Sequence, residues 1–382
     1  MSTARIAITA SHFCVDYIGI TANMLYPILA VSLGLSLSQV GIAAGTTIAV
    51  NGTSNLFFGL LSDRVSFRPI IVGGIVLQGT MIALLARSPS YTWMMVILVG
   101  LGVGSGAYHP VAIAIANKIV ARGKGVSLGV FFLAGNMGMA VSPAVAGLVL
   151  YSSDFVGSQY TSVLTIVSIV IAAGLLLAVR GTEIEFHSST GEANVSHDWY
   201  NLFMLGLVIL MRGLAFGGAL VFLPFLYHAV EQPSVAGLAL AFFVGGFALG
   251  TFAGGALSDF AEVKLLVVCA FVFAAPFLLL AAWIPGSGLS IAAGCIAGLA
   301  MGASQTPTVL AVQNNLPKFI GTASGLGIGA TFVSQGLGGV VTGFLSESFG
   351  VFFALVVLAM FLVAGLITSI ILPEAIWDAG NS

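Results

Sequence analysis

The stretch Gly59-Leu60-Leu61-Ser62-Asp63 returns 196 residues later as Gly255-Ala256-Leu257-Ser258-Asp259, and each copy closes a long apolar run. Other landmarks keep the same spacing to within one residue. Pro27 answers Pro224, Pro110 answers Pro307, and Gly125, Gly129 and Gly147 answer Gly321, Gly325 and Gly343. Glycine-rich apolar sequence matches itself easily at one place, but not in one register across five segments. The chain therefore reads as two copies of one unit.

The runs between these landmarks are long enough to cross a bilayer, which takes about 20 mostly apolar residues. Twelve such stretches are visible: 6–33, 40–61, 69–86, 91–117, 126–150, 160–179, 199–228, 234–257, 265–284, 289–313, 322–346 and 350–372. Only 6% of the 382 residues are charged, against about 25% in a soluble domain, and the mean hydropathy is +1.12. The expected fold is thus an all-α membrane protein of twelve transmembrane helices in two pseudo-symmetric halves of six. The halves are 1–179 and 199–382, joined by a polar linker over 180–198. Six spans per copy give both copies the same sense, so the repeats are parallel and related by an axis along the membrane normal.

Basic residues orient the chain. With the N-terminus inside, Arg5, Arg64, Arg68, Lys118, Arg122, Lys124, Arg180, Lys264 and Lys318 all fall on the cytoplasmic side, and only Arg87 falls outside. That bias predicts two cytoplasmic termini. The N-terminal run is too long for a signal peptide and carries His12, Asp16 and Asn23, so it reads as a retained first helix. Cys14, Cys269 and Cys295 lie in apolar segments without metal spacing and read as small core residues. No nucleotide-binding loop, metal cluster or soluble domain is apparent, so no cofactor, metal or nucleic acid is expected, and enzymatic activity is not. A monomer is expected.

Several motifs resemble the major facilitator superfamily. Gly59-x3-Asp63-Arg64-x3-Arg68 is similar to its loop motif, with Ser66 where a glycine is usual. Gly129-x8-Gly138-x3-Ser142-Pro143-x2-Ala146-Gly147 resembles the helix-packing motif of its proton-driven exporters, with Ser142 and Ala146 in place of two glycines. Both replacements are small, so close helix approach survives. Within the superfamily, His12-Phe13-x2-Asp16, Gly104-x4-His109-Pro110, Gly135-Asn136-x-Gly138 and Arg212 resemble the fosmidomycin-resistance-like exporters. The resemblance implies a secondary transporter of the inner membrane. It also implies that Asp63 and Asp259, with Arg64 and Arg68, form a cytoplasmic gate near the N-terminal ends of helices, where the dipole favours negative charge.

Two charges, Asp16 and Arg212, lie inside apolar spans at almost matching places in the two halves. Ionisable groups at bilayer depth are costly and usually mark a pathway. Asp16 is the candidate proton site, with His12 and His109 as further proton-coupling candidates; the alternative for His109 is a structural pin beside Pro110. Arg212 stays charged at any relevant pH, so it is a candidate to hold an anionic substrate group in a bidentate fork or to act as counter-ion to Asp16. A pair that only locks two helices is the plainer alternative. Asn23 and Tyr26 continue the polar stripe of the first helix, and Gln305, Thr306 and Thr308 are candidate substrate contacts or helix glue. The expected function is proton-coupled efflux of a small organic solute by alternating access. Import of a small organic anion by symport or facilitation is the alternative, and a membrane-embedded sensor or other non-transport protein the third.

Overall fold

The computed structural model describes residues 3–62, 65–118, 124–152, 157–180, 199–229, 232–258, 260–315 and 320–377. They form α1 (Thr3–Leu33), α2 (Leu37–Ser62), α3 (Phe67–Leu85), α4 (Tyr91–Lys118), α5 (Lys124–Ser152), α6 (Gly157–Ala178), α7 (Trp199–Ala229), α8 (Pro233–Leu257), α9 (Val263–Trp283), α10 (Gly288–Ala303), α11 (Gln305–Asn315), α12 (Ile320–Phe349), α13 (Val351–Ile371) and the short α14 (Glu374–Trp377). The tenth expected span is split into α10 and α11 at Ser304. Pro307, three residues on, has no N–H to continue the ladder. The expected linker falls on residues that lie almost wholly outside the described ones.

Among the described residues, ten spans are long and apolar enough to cross a membrane, with α10 and part of α11 counted as one. The two long helices beyond these ten, α2 and α12, are rich in Gly, Ser and Thr. Helices elsewhere turn large apolar side chains outward: Ile166, Val170, Phe252 and Met360 are all more than half exposed. In lipid such a surface carries no hydrophobic penalty, because acyl chains are as apolar as the side chains they meet. Cys14 is buried as expected, but Cys269 is exposed and Cys295 only half-buried. The reading of all three as core residues is corrected for Cys269, since a small thiol suits a lipid-facing position as well as a packed one.

The chain divides into two compact units, Met1–Leu35 with Thr46–Ser188, and Ser36–Gly45 with Ser189–Ser382. Within the first, α1 packs on α5 and α6, and α3 packs on α4 and α6. Within the second, α7 packs on α12 and α13, and α9 packs on α10 and α13, the same pairings in repeat order. Glycines carry the likeness to atomic detail. A Cβ added at Gly102 or Gly106 of α4 would meet the carbonyl oxygens of Thr47 and Asn51 in α2. One at Gly298 or Gly302 of α10, each 196 residues on, would meet those of Phe243 and Phe247 in α8, again 196 residues on. Each of these pairs approaches so closely that only a hydrogen fits, as expected where helices associate without a hydrophobic drive.

The first third of α2 belongs to the second unit. Gly34, with φ 62°, ends α1: Gly34 N–H donates to the Val31 carbonyl and Leu35 N–H to that of Ala30, the paired bonds of a Schellman turn. Ser36 then opens α2 in a capping box, with Ser36 N–H donating to Gln39 Oε1 at 2.9 Å and Gln39 N–H to Ser36 Oγ at 3.3 Å. Glu347 of α12 accepts from Ser38 N–H at 3.1 Å, where the α2 dipole favours a carboxylate. Below this cap Gly41 and Gly45 lie against Gly336, Gly339 and Gly343 of α12. α2 and α12 thus meet through their smallest residues.

Candidate functional site

Asp16 sits mid-way along α1 and shares its face with His12, one turn earlier. His109 of α4 arrives from the side. Asp16 Oδ1 lies 3.0 Å from His109 Nε2, and Oδ2 lies 3.3 Å from His12 Nε2. The Asp16 side chain is 14% exposed and that of His12 5%. Gly135 of α5 backs directly onto the pair: a Cβ there would strike Asp16 Oδ2 and the His12 ring. The His12 ring also stacks on Phe131 at 4.0 Å between centroids.

The other nitrogen of each imidazole decides what the cluster holds. His12 Nδ1 is 2.8 Å from the Phe131 carbonyl oxygen, and His109 Nδ1 is 2.8 Å from that of Ser105. A backbone carbonyl only accepts, so each Nδ1 carries a hydrogen and donates it. Each Nε2 then faces a carboxylate oxygen, and a hydrogen bond across either contact needs one additional proton, on the nitrogen or on the oxygen. Two such contacts give room for two protons, and the net charge of the trio runs from −1 with none to +1 with both. Polar atoms of all three groups lie within 4.8 Å of one another. Two imidazoles and a carboxylate are donors that a divalent cation also accepts, but carboxylate contacts at 3.0 and 3.3 Å are those of a hydrogen-bonded cluster.

Arg212 occupies the middle of α7 and is 1% exposed. Its Nη1 donates to Gln305 Oε1 of α11 at 2.6 Å, and its Nη2 to Thr331 Oγ1 of α12 at 3.4 Å. Its Nε has no hydrogen-bond partner among the described residues. The sequence suggested Arg212 as counter-ion to Asp16; here each of the two takes the partners named above from its own unit.

Other candidates are placed as follows. Asn23 is buried and its Nδ2 donates to the Ile20 carbonyl at 3.3 Å. Tyr26 is buried and its hydroxyl pairs with Thr47. Thr306 Oγ1 donates to the Thr251 carbonyl at 3.1 Å, tying α11 to α8, and Thr308 bonds the Ser304 carbonyl in its own turn. In the packing motif, a Cβ on Gly138 would meet the Phe13 carbonyl of α1, Ser142 Oγ bonds Thr21 Oγ1 of α1 at 2.7 Å, and Pro143 and Gly147 are buried in α5. Gly129 lies in α5 too. Of the gate candidates, Arg68 covers the Phe67 ring, its guanidinium 5.3 Å from the centroid, while Asp63, Arg64 and Asp259 lie outside the described residues.

Three contributors escaped the sequence reading. The carbonyl of Ser105 is one turn before His109 and was within reach of a helical wheel. The carbonyl of Phe131 carries no signature in side-chain identity. Gln78 of α3, 1% exposed, donates Nε2 to the Val15 carbonyl beside Asp16 at 3.0 Å; a lone glutamine in an apolar span was the available signal.

The sequence profile described as Major Facilitator Superfamily matches residues 8–230. An uncharacterized MFS-type transporter of Bacillus subtilis (strain 168), YfnC, is 24% identical over 382 residues, spanning 97% of this chain and 92% of its own. The fosmidomycin resistance protein of Escherichia coli (strain K12) is 22% identical over 378 residues, spanning 96% of this chain and 92% of its own. Among solved structures, a bacterial homologue of the human lysosomal transporter Spinster, in an inward-facing and occupied conformation, superposes with a TM-score of 0.81 at 16% identity. That match covers 96% of this chain and 95% of the other, and at such identity it speaks for the fold.

Proposed function

The chain belongs to the Major Facilitator Superfamily, and we propose that it exports a small organic solute in exchange for protons by alternating access. The observation that carries this reading is the trio His12, Asp16 and His109, whose hydrogen-bond geometry has places for two exchangeable protons. A carboxylate that passes between a proton-loaded and a proton-free state inside a membrane is a coupling device, because its charge and its bonding change together. Protons enter at Asp16 and the imidazoles; solute is held in the second unit, with Arg212 and Gln305 as its polar contacts. Asn23 and Tyr26 extend the polar face of α1, and Asp63, Arg64, Arg68 and Asp259 serve as the cytoplasmic gate. Relatives named for fosmidomycin resistance and multidrug efflux favour export. The basic-residue bias favours both termini in the cytoplasm, and the reading is of a monomer in the inner membrane.

The test is Asp16→Asn in proteoliposomes. The expected outcome is loss of solute movement driven by a pH gradient, down to the rate of protein-free vesicles, with the purified variant still folded. An Asp16→Asn protein that keeps gradient-driven export overturns the reading. A second reading, import of a small organic anion by symport or facilitation, rests on the guanidinium of Arg212. Reversing the sign of the imposed gradient separates the two.

A further inference from the structure

We propose that the transported solute is an organic monocarboxylate, held by the Nε and Nη2 edge of Arg212. The inference rests on the transporter reading above and names its substrate class.

A guanidinium that is 1% exposed must be compensated, because its charge is always present. The described acidic residues of the second unit are Glu262, Glu347 and Glu374. They stand at the N-cap of α9, the end of α12 and the start of α14, whereas Arg212 is mid-helix. Both ion pairs among the described residues belong to Asp16. The side chains that do meet Arg212 in its unit, Gln305 and Thr331, are neutral. An amide oxygen and a hydroxyl give dipoles but no negative charge.

The pattern of bonds says which edge of the guanidinium is available. Nη1 is engaged closely, at 2.6 Å by Gln305. Nη2 has only the 3.4 Å contact with Thr331, and Nε has none. Nε–H and the neighbouring Nη2–H point the same way and form the side-on fork that takes a carboxylate bidentately. Gln305 thus orients the plane by its far corner and leaves that fork to a ligand. The repeat gives an internal control. Asp16 stands at the corresponding position of the first unit, and both of its oxygens are met by imidazoles that can be cationic. One unit completes its charge from its own side chains; the other completes it with cargo.

The experiment uses the purified full-length protein in detergent and a panel of small aliphatic and aromatic monocarboxylates. Each acid is paired with its primary amide, benzoate with benzamide among them. Thermal shift is recorded for wild type, Arg212→Lys and Arg212→Gln. The expected result is that at least one acid raises the melting temperature while its amide does not. That acid should bind at least tenfold more weakly to Arg212→Lys, which keeps the charge without the fork, and not at all to Arg212→Gln. Arg212→Lys keeps the test valid if Arg212→Gln does not fold. The proposal is overturned if no acid shifts wild type, if amides shift it equally, or if acids bind Arg212→Lys as well as wild type. Proton coupling is scored separately: its failure appears as gradient-independent flux with acid binding intact, whereas failure of this inference appears in binding alone.

Discussion

Asp16 on α1 and Arg212 on α7 stand 196 residues apart, and so do the residues that reach them from the fourth and tenth spans, His109 and Gln305. The two contacts are alike in distance, 3.0 Å and 2.6 Å, and unlike in chemistry. In the first unit a carboxylate meets imidazoles, and protons can set the local charge anywhere from −1 to +1. In the second a permanent cation meets an amide, and no pH within reach alters it. Duplication supplied one geometry twice; side-chain substitution then made one copy titratable and the other constant. Such a division suits an exchanger, in which one site must take up and release protons while the other offers a steady charge to cargo.

The sharpest way to break the comparison is to make the first unit as inert as the second. His109→Gln, which places an amide where the repeat already has Gln305, should abolish gradient-driven flux while leaving solute binding unchanged. A pH-jump flux assay beside a binding isotherm checks both halves of that statement. Gly135→Ala should come next, since its methyl would be driven into Asp16 and His12. We expect a loss of about 1–3 kcal/mol of stability, the usual cost of overpacking, together with impaired coupling. Thermal melts and flux report the two effects.

A smaller effect compares the glycine approaches. Gly106→Ala and Gly302→Ala should each lower stability by roughly 1–3 kcal/mol, with the larger loss at Gly302, where the facing carbonyl is closer. Equal melting temperatures for wild type and both variants would contradict the packing described. The least is expected at the helix cap. Glu347→Gln removes a charge from the N-terminus of α2 and should lower the melting temperature only slightly, an effect that vanishes in high salt. A loss that persists at 1 M salt would mean that the carboxylate does more than complement the dipole.

Much of the architecture was legible in one dimension. Twelve apolar runs, a 196-residue register and a basic-residue bias follow from composition, because the bilayer dictates span length and the closure of every backbone hydrogen bond. Asp16 and Arg212 stood out because an ionisable group in an apolar run is expensive, and expense is visible in sequence. The contacts that give those groups meaning were not. Asp16 and Arg212 could be matched by charge, but the partners of Asp16 within its unit are His12 and His109, whose nitrogens are aimed by the carbonyls of Phe131 and Ser105. A carbonyl is the same in every residue, so its position cannot be read from letters. The rotation of each helix, which leaves Cys269 exposed and buries Cys14, is likewise set by packing against its neighbours. The sequence by itself therefore determined that charge lies within the membrane and that the plan is doubled. Only the tertiary structure decided what each charge touches, because hydrogen bonds depend on the direction of atoms and apolar periodicity fixes directions only to within a helical face.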